Sequence, residues 1–90
     1  MFELKKEDVK EVLIYGMNGC KFCTKAVNLA AEKSLACRYM LVGQDISKAD
    51  LIKKIGKVIN TVPQIFAYDK NGKEYYIGGF DRMELLFNVK

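Results

Sequence analysis

Apolar and polar positions along the chain change period several times, and each change marks an element. Val9 to Tyr15 holds the apolar, β-rich run Val12-Leu13-Ile14-Tyr15, which predicts a buried strand. Gly16-Met17-Asn18-Gly19 follows as a loop. From Lys21 to Ser34 the apolar residues fall at Phe22, Ala26, Val27, Leu29 and Ala30, a helical spacing that leaves Lys25, Asn28, Glu32 and Lys33 for solvent. A second strand is predicted over Cys37 to Val42, closed by Gly43-Gln44-Asp45. Ser47 is placed to cap a helix running to about Ile55, with Leu51, Ile52 and Ile55 facing inward and Gly56 ending it.

Pro63 opens a third strand, Gln64 to Tyr68, and Asn71-Gly72 is a strong hairpin dipeptide leading into a fourth, Lys73 to Ile77. Gly78-Gly79 precedes a last amphipathic helix from Arg82 to Val89. Asp81 falls at its expected N-cap, Glu84 could complete a capping box, and Phe80 could staple to Leu85. The order β-α-β-α-β-β-α predicts an α/β fold in which a parallel first pair and an antiparallel hairpin share one mixed sheet, with helices on its faces. Residues 1–90 fit one domain, with residues 1–8 a charged lead-in that frays or makes a short helical turn.

Half of the residues are hydrophobic, enough for one core without metal or disulfide staples. The formal charge of +4 comes from lysines scattered in ones and twos, not from the dense basic stripe of a nucleic-acid binder. It suits a solvated surface, or a positive rim attracting anionic substrates. No apolar run is long enough for a signal peptide or a membrane span, so a cytoplasmic location is expected. Structural disulfides are uncommon there, and three cysteines, two of them spaced C-x-x-C, ask for a redox or metal explanation.

Cys20-Lys21-Phe22-Cys23 lies where a strand and loop meet the first turn of a helix. Free backbone N–H groups and the positive end of the macrodipole stabilise a thiolate there. The Cys20 pKa is expected below the free value of about 8.5, and Lys21 adds charge of the same sign. Cys23, one turn on, should be more buried and close enough to bridge. Cys20 would then attack a disulfide, and Cys23 or an outside thiol would resolve the mixed disulfide. Zinc is the competing explanation, but it wants four ligands, and the chain offers only Cys37 beyond the pair and no histidine. No metal site is therefore expected. Cys37 itself reads as a small core residue, with a redox-sensitive or dimer-forming thiol as the alternative. Composition alone leaves Pro63 as a trans proline at a strand edge or as a cis one.

Three separated motifs, Cys20-Lys21-Phe22-Cys23, Thr61-Val62-Pro63-Gln64-Ile65-Phe66 and Gly78-Gly79-Phe80-Asp81, stand in the order and spacing of glutaredoxins, and the chain resembles that family from about Val9 to Leu86. The resemblance implies a thioredoxin fold, a four-stranded mixed sheet flanked by three helices, with a cis Val62–Pro63 bond. It implies that glutathione is reductant and co-substrate, with no bound cofactor. The Val62 backbone would pair with the cysteinyl part of glutathione, and the turn from Gly79 through Phe80 and Asp81 to Arg82 would receive the γ-glutamyl carboxylate, in keeping with anion binding at helix N-termini. Phe22 matches the aromatic position between the cysteines, and Lys53 and Lys57 lie near residues that reach the glycyl carboxylate.

Departures are Lys21 in place of the usual proline, Met17 where a basic residue is common, and Asp81-Arg82 in the last turn, where Asp81 stands as helix cap or as ligand to the glutathione amine. The activity implied is glutathione-dependent reduction of protein disulfides and protein–glutathione mixed disulfides by a monomer, with ribonucleotide reductase a family-typical acceptor. Two other readings keep the fold: a glutaredoxin-like electron donor reduced by thioredoxin reductase, and a module holding an iron–sulfur cluster between two subunits through Cys20 and glutathione.

Overall fold

A computed structural model describes residues 4–88. After a 3₁₀ turn, Lys6–Asp8, the elements are β1 (Val9–Gly16), α1 (Lys21–Glu32), β2 (Ala36–Leu41), α2 (Lys48–Ile55), β3 (Gln64–Asp69), β4 (Glu74–Gly78) and α3 (Phe80–Asn88). Val89, the expected end of the last helix, lies outside the described residues. The sheet order is β2-β1-β3-β4, with β1 and β2 parallel and the β1–β3 and β3–β4 pairs antiparallel.

Both faces of the sheet are covered, which explains why β1 reads as an unbroken apolar run instead of an alternation. Val12 and Ile14 join Ala26, Leu29, Ile65, Met83 and Leu86 in the core under α1 and α3. Leu13 and Tyr15, pointing the other way, pack with Phe66, Leu51 and Ile59 beneath α2. Lys54 ties α2 to that second face: its ammonium donates to the Tyr15 hydroxyl at 3.1 Å, pairs with Glu74 at 3.0 Å and lies 4.7 Å from the centre of the Phe66 ring.

Helix ends follow local chemistry where that chemistry is unopposed. Ser47 Oγ accepts the Asp50 N–H at 3.0 Å to start α2, and Gly56, at φ 88°, ends it as expected. The last helix departs from expectation. It begins at Phe80, not Arg82, with the Gly79 carbonyl accepting the Met83 N–H at 3.1 Å. Asp81 is therefore inside the first turn and is not the cap. The expected Phe80–Leu85 staple is absent as well, since Leu85 is 57% exposed while Phe80 packs on the main core and on Phe22. Burial of Phe80 sets where this helix starts.

Cys37 is also corrected: it is exposed, because β2 is the edge strand and lies beyond the packed middle of the sheet. Partial desolvation and the nearby Glu11 carboxylate push its thiol pKa up, which makes it a poor nucleophile at neutral pH.

The β3–β4 hairpin is organised by Asp69, whose carboxylate accepts the N–H groups of Asn71 and Lys73 at 2.9 and 3.0 Å and the Tyr75 hydroxyl at 3.3 Å. The Lys73 N–H leads in holding the Asp69 pKa below its ordinary value. A depressed folded-state pKa contributes stability that is present above the unfolded value and lost as pH falls through the folded one. Melting curves below about pH 4 should therefore fall more steeply for the native protein than for Asp69→Asn, which keeps an acceptor but does not titrate. Parallel acid limbs for the two proteins would contradict this.

Candidate active site

The site lies where the C-terminal ends of β1 and β2 meet the start of α1. Cys20 occupies the N-cap of α1 in extended conformation, and its Sγ accepts the Cys23 N–H at 3.2 Å. An N-cap normally carries an oxygen acceptor. Neutral sulfur accepts weakly, but a thiolate is charged, so this bond strengthens when Cys20 ionises. No acidic residue stands in the first turn of α1 to oppose a negative charge, and Lys21 follows directly.

Cys23, 1% exposed, sits one turn into the helix, and the two cysteines form a disulfide with their Cα atoms 5.2 Å apart. Cys20 is half-buried, the more accessible of the two. Its other neighbour is the Val62 carbonyl oxygen, at 3.8 Å. The Val62–Pro63 peptide bond is cis, as the resemblance implied.

Two residues behind the disulfide had no functional signal in the sequence. A Cβ on Gly16, the last residue of β1, would run into the Tyr39 hydroxyl and lie 2.8 Å from Cys23 Sγ, so glycine leaves both side chains their space. Tyr39, on the neighbouring strand β2, donates its hydroxyl to the Met17 carbonyl at 3.2 Å and so ties down the loop before Cys20.

Around the cysteines the expected residues are partly brought together. Lys21 is exposed, and Phe22, 52% exposed, stacks at 6.1 Å on Phe80 of α3, with the Lys25 ammonium 5.1 Å from its ring centre. The start of α3 thus stands beside the start of α1. A groove of about 1040 Å³ runs between the α2–β3 connection and the β4–α3 turn, and Val62, Pro63, Phe22 and Phe80 are not part of its lining. Thr61, Gln64, Gly79, Asp81 and Arg82 line it, and so does Lys57, whereas Lys53 stays exposed on α2 and does not. The Asp81 carboxylate folds back over Gly79, where an added Cβ would lie 3.2 Å from Oδ1. Among the described residues no three His, Cys, Asp or Glu side chains gather to hold a metal ion. No helix among them is long and apolar enough to cross a membrane.

The glutaredoxin family model matches residues 12–72, which run from within β1 to the turn after β3 and include both cysteines and the cis proline. The chain belongs to the glutaredoxin family. It is 38% identical over 81 residues to a glutaredoxin of Haemophilus influenzae, covering 83% of this chain and 87% of that one. It is 40% identical over 73 residues to glutaredoxin 1 of Salmonella typhimurium, covering 74% and 78% respectively. Among solved structures, reduced Escherichia coli glutaredoxin superposes with a TM-score of 0.65 at 31% identity, covering 83% of this chain and 89% of that one. Family and fold together make the Cys20–Cys23 pair the redox-active disulfide of a thiol–disulfide oxidoreductase.

The close approach of Tyr39 and Cys23 to Gly16 gives a direct test of how tightly this glutaredoxin site is packed. Gly16→Ala should cost about 1–3 kcal/mol in denaturant unfolding, as overpacking does. A midpoint unchanged from the native protein would show that Tyr39 and the Cys23 sulfur have room to spare.

Proposed function

We propose that this glutaredoxin is a glutathione-dependent oxidoreductase that reduces both protein disulfides and protein–glutathione mixed disulfides. The observation that carries the reading is the setting of Cys20: its sulfur caps α1 through the Cys23 N–H, belongs to a half-buried residue where Cys23 is buried, and lies 3.8 Å from the Val62 carbonyl oxygen. A mixed disulfide at Cys20 would therefore form beside the Val62 peptide group.

The Cys20 thiolate attacks the glutathione sulfur of a mixed disulfide, and the substrate leaves as its thiolate. A second glutathione thiolate then attacks the glutathione sulfur bound to Cys20, forming glutathione disulfide and returning Cys20 as thiolate. With a protein disulfide, Cys20 forms the mixed disulfide, and Cys23, once deprotonated, attacks Cys20 Sγ. That step expels the substrate thiolate and closes the Cys20–Cys23 disulfide, which two glutathiones reduce.

The Val62 backbone pairs with the cysteinyl unit of glutathione, and the turn formed by Gly79, Phe80 and Asp81 takes the γ-glutamyl end. Phe22, stacked on Phe80, walls the space between the cysteines and that turn. Lys57 in the groove is better placed than Lys53 for the glycyl carboxylate.

Two substitutions and a choice of electron source test this. Cys20→Ser abolishes all turnover. Cys23→Ser keeps activity on glutathione mixed disulfides and loses protein-disulfide reduction; equal loss on both substrates would reverse the assignment of roles. Turnover should couple to glutathione and glutathione reductase, and turnover with thioredoxin reductase alone would overturn the glutathione reading.

A further inference from the structure

We propose that Gln64 and Tyr76 are positioning residues that aim the Val62 N–H outward, toward the backbone of the bound substrate. Gln64 is the one buried polar side chain among the described residues. Burying an amide is unfavourable unless its hydrogen bonds are made, and both of its polar atoms are used: Nε2 donates to the Thr61 carbonyl at 3.0 Å, and Oε1 accepts from the Tyr76 hydroxyl at 2.5 Å. The orientation of the amide follows from its partners, since a carbonyl only accepts and the Thr61 side therefore requires the NH₂ end. Burial leads in pushing the Tyr76 pKa up, so its hydroxyl keeps its proton and stays a donor.

The consequence lies in the next atom pair along the chain. Thr61 C=O and Val62 N–H belong to one planar trans peptide, the only cis bond among the described residues being Val62–Pro63. In a trans peptide the C=O and N–H point in opposite directions. Gln64 draws the carbonyl inward, so the N–H is turned outward, and it has no hydrogen-bond partner among the described residues. Tyr76 extends the chain of bonds across the sheet to β4, which anchors the peptide against rotation. Lys57, 5.5 Å above the Tyr76 ring, closes the same corner of the groove.

This inference rests on the glutathione reading for what the N–H meets, and the experiment separates the two. Gln64→Glu keeps the volume and the acceptor for Tyr76 but places a carboxylate oxygen against the Thr61 carbonyl. Tyr76→Phe removes only the outer bond. Steady-state kinetics on the mixed disulfide of glutathione and 2-mercaptoethanol at pH 8 should show KM raised about tenfold by Gln64→Glu and about threefold by Tyr76→Phe, as expected for losing hydrogen bonds that act on binding. The kcat should stay within about twofold in both, and the pH dependence of Cys20 alkylation should not move.

In ¹H–¹⁵N spectra Gln64→Glu should shift the Val62 amide while those of Leu13 and Ala26 stay in place. An unchanged KM, a fall in kcat in step with melting temperature, or a stationary Val62 amide would each overturn the proposal. Should the native protein show no saturable dependence on glutathione, the functional reading fails, and the Val62 amide alone decides the positioning role.

Discussion

The hydrogen bond from the Cys23 N–H to Cys20 Sγ is where the fold and the chemistry become one constraint. It starts α1, and it puts the Cys20 sulfur on the positive end of the helix. A sulfur in that place is a poor cap when protonated and a good one when ionised, so the helix end and the thiolate stabilise each other. Cys23 contributes the donor to this bond while its own sulfur stays buried within reach of Cys20. The proposed division of labour between two chemically identical side chains thus follows from which end of one hydrogen bond each occupies.

The rest of the structure fixes the surroundings of that sulfur. β1 is fixed on both faces, by Val12 and Ile14 against α1 and α3 and by Leu13 and Tyr15 against α2, so Gly16 at its end is a rigid backstop for Cys23. Tyr39 holds the intervening loop by the Met17 carbonyl. β3, paired to β1, presents Val62 and Pro63 from the other side, and Phe80 carries the start of α3 onto Phe22. Three segments distant in sequence therefore come together around the start of α1, Val62 at Cys20 and Phe80 at Phe22.

What was legible in the sequence was what depends on near neighbours. The apolar run of β1, the spacing of α1, the Ser47 cap and the Gly56 stop each follow from a few adjacent residues. The position of Cys20 at a helix start follows from the same local reading. The cis form of Pro63 was not legible from composition and came only through the resemblance. Cys37 was misread because an edge strand and a central strand share one local pattern, and only the order β2-β1-β3-β4 separates them. Asp81 was misread because the chemistry of a good cap was opposed by the burial of Phe80 one residue earlier. The Gln64–Tyr76 bond joins side chains twelve residues apart through the β3–β4 pairing, and no property of either residue alone announces it.

The most direct test of the central claim is the ionisation of the two thiols in the reduced protein, followed by the pH dependence of alkylation at each cysteine. If Cys20 is the cap of α1 and the attacking sulfur, it should react first and titrate clearly below the free-thiol value of about 8.5, with Cys23 protected until much higher pH. A Cys20 that titrates at or above that value, or a Cys23 that is alkylated first, would contradict the account.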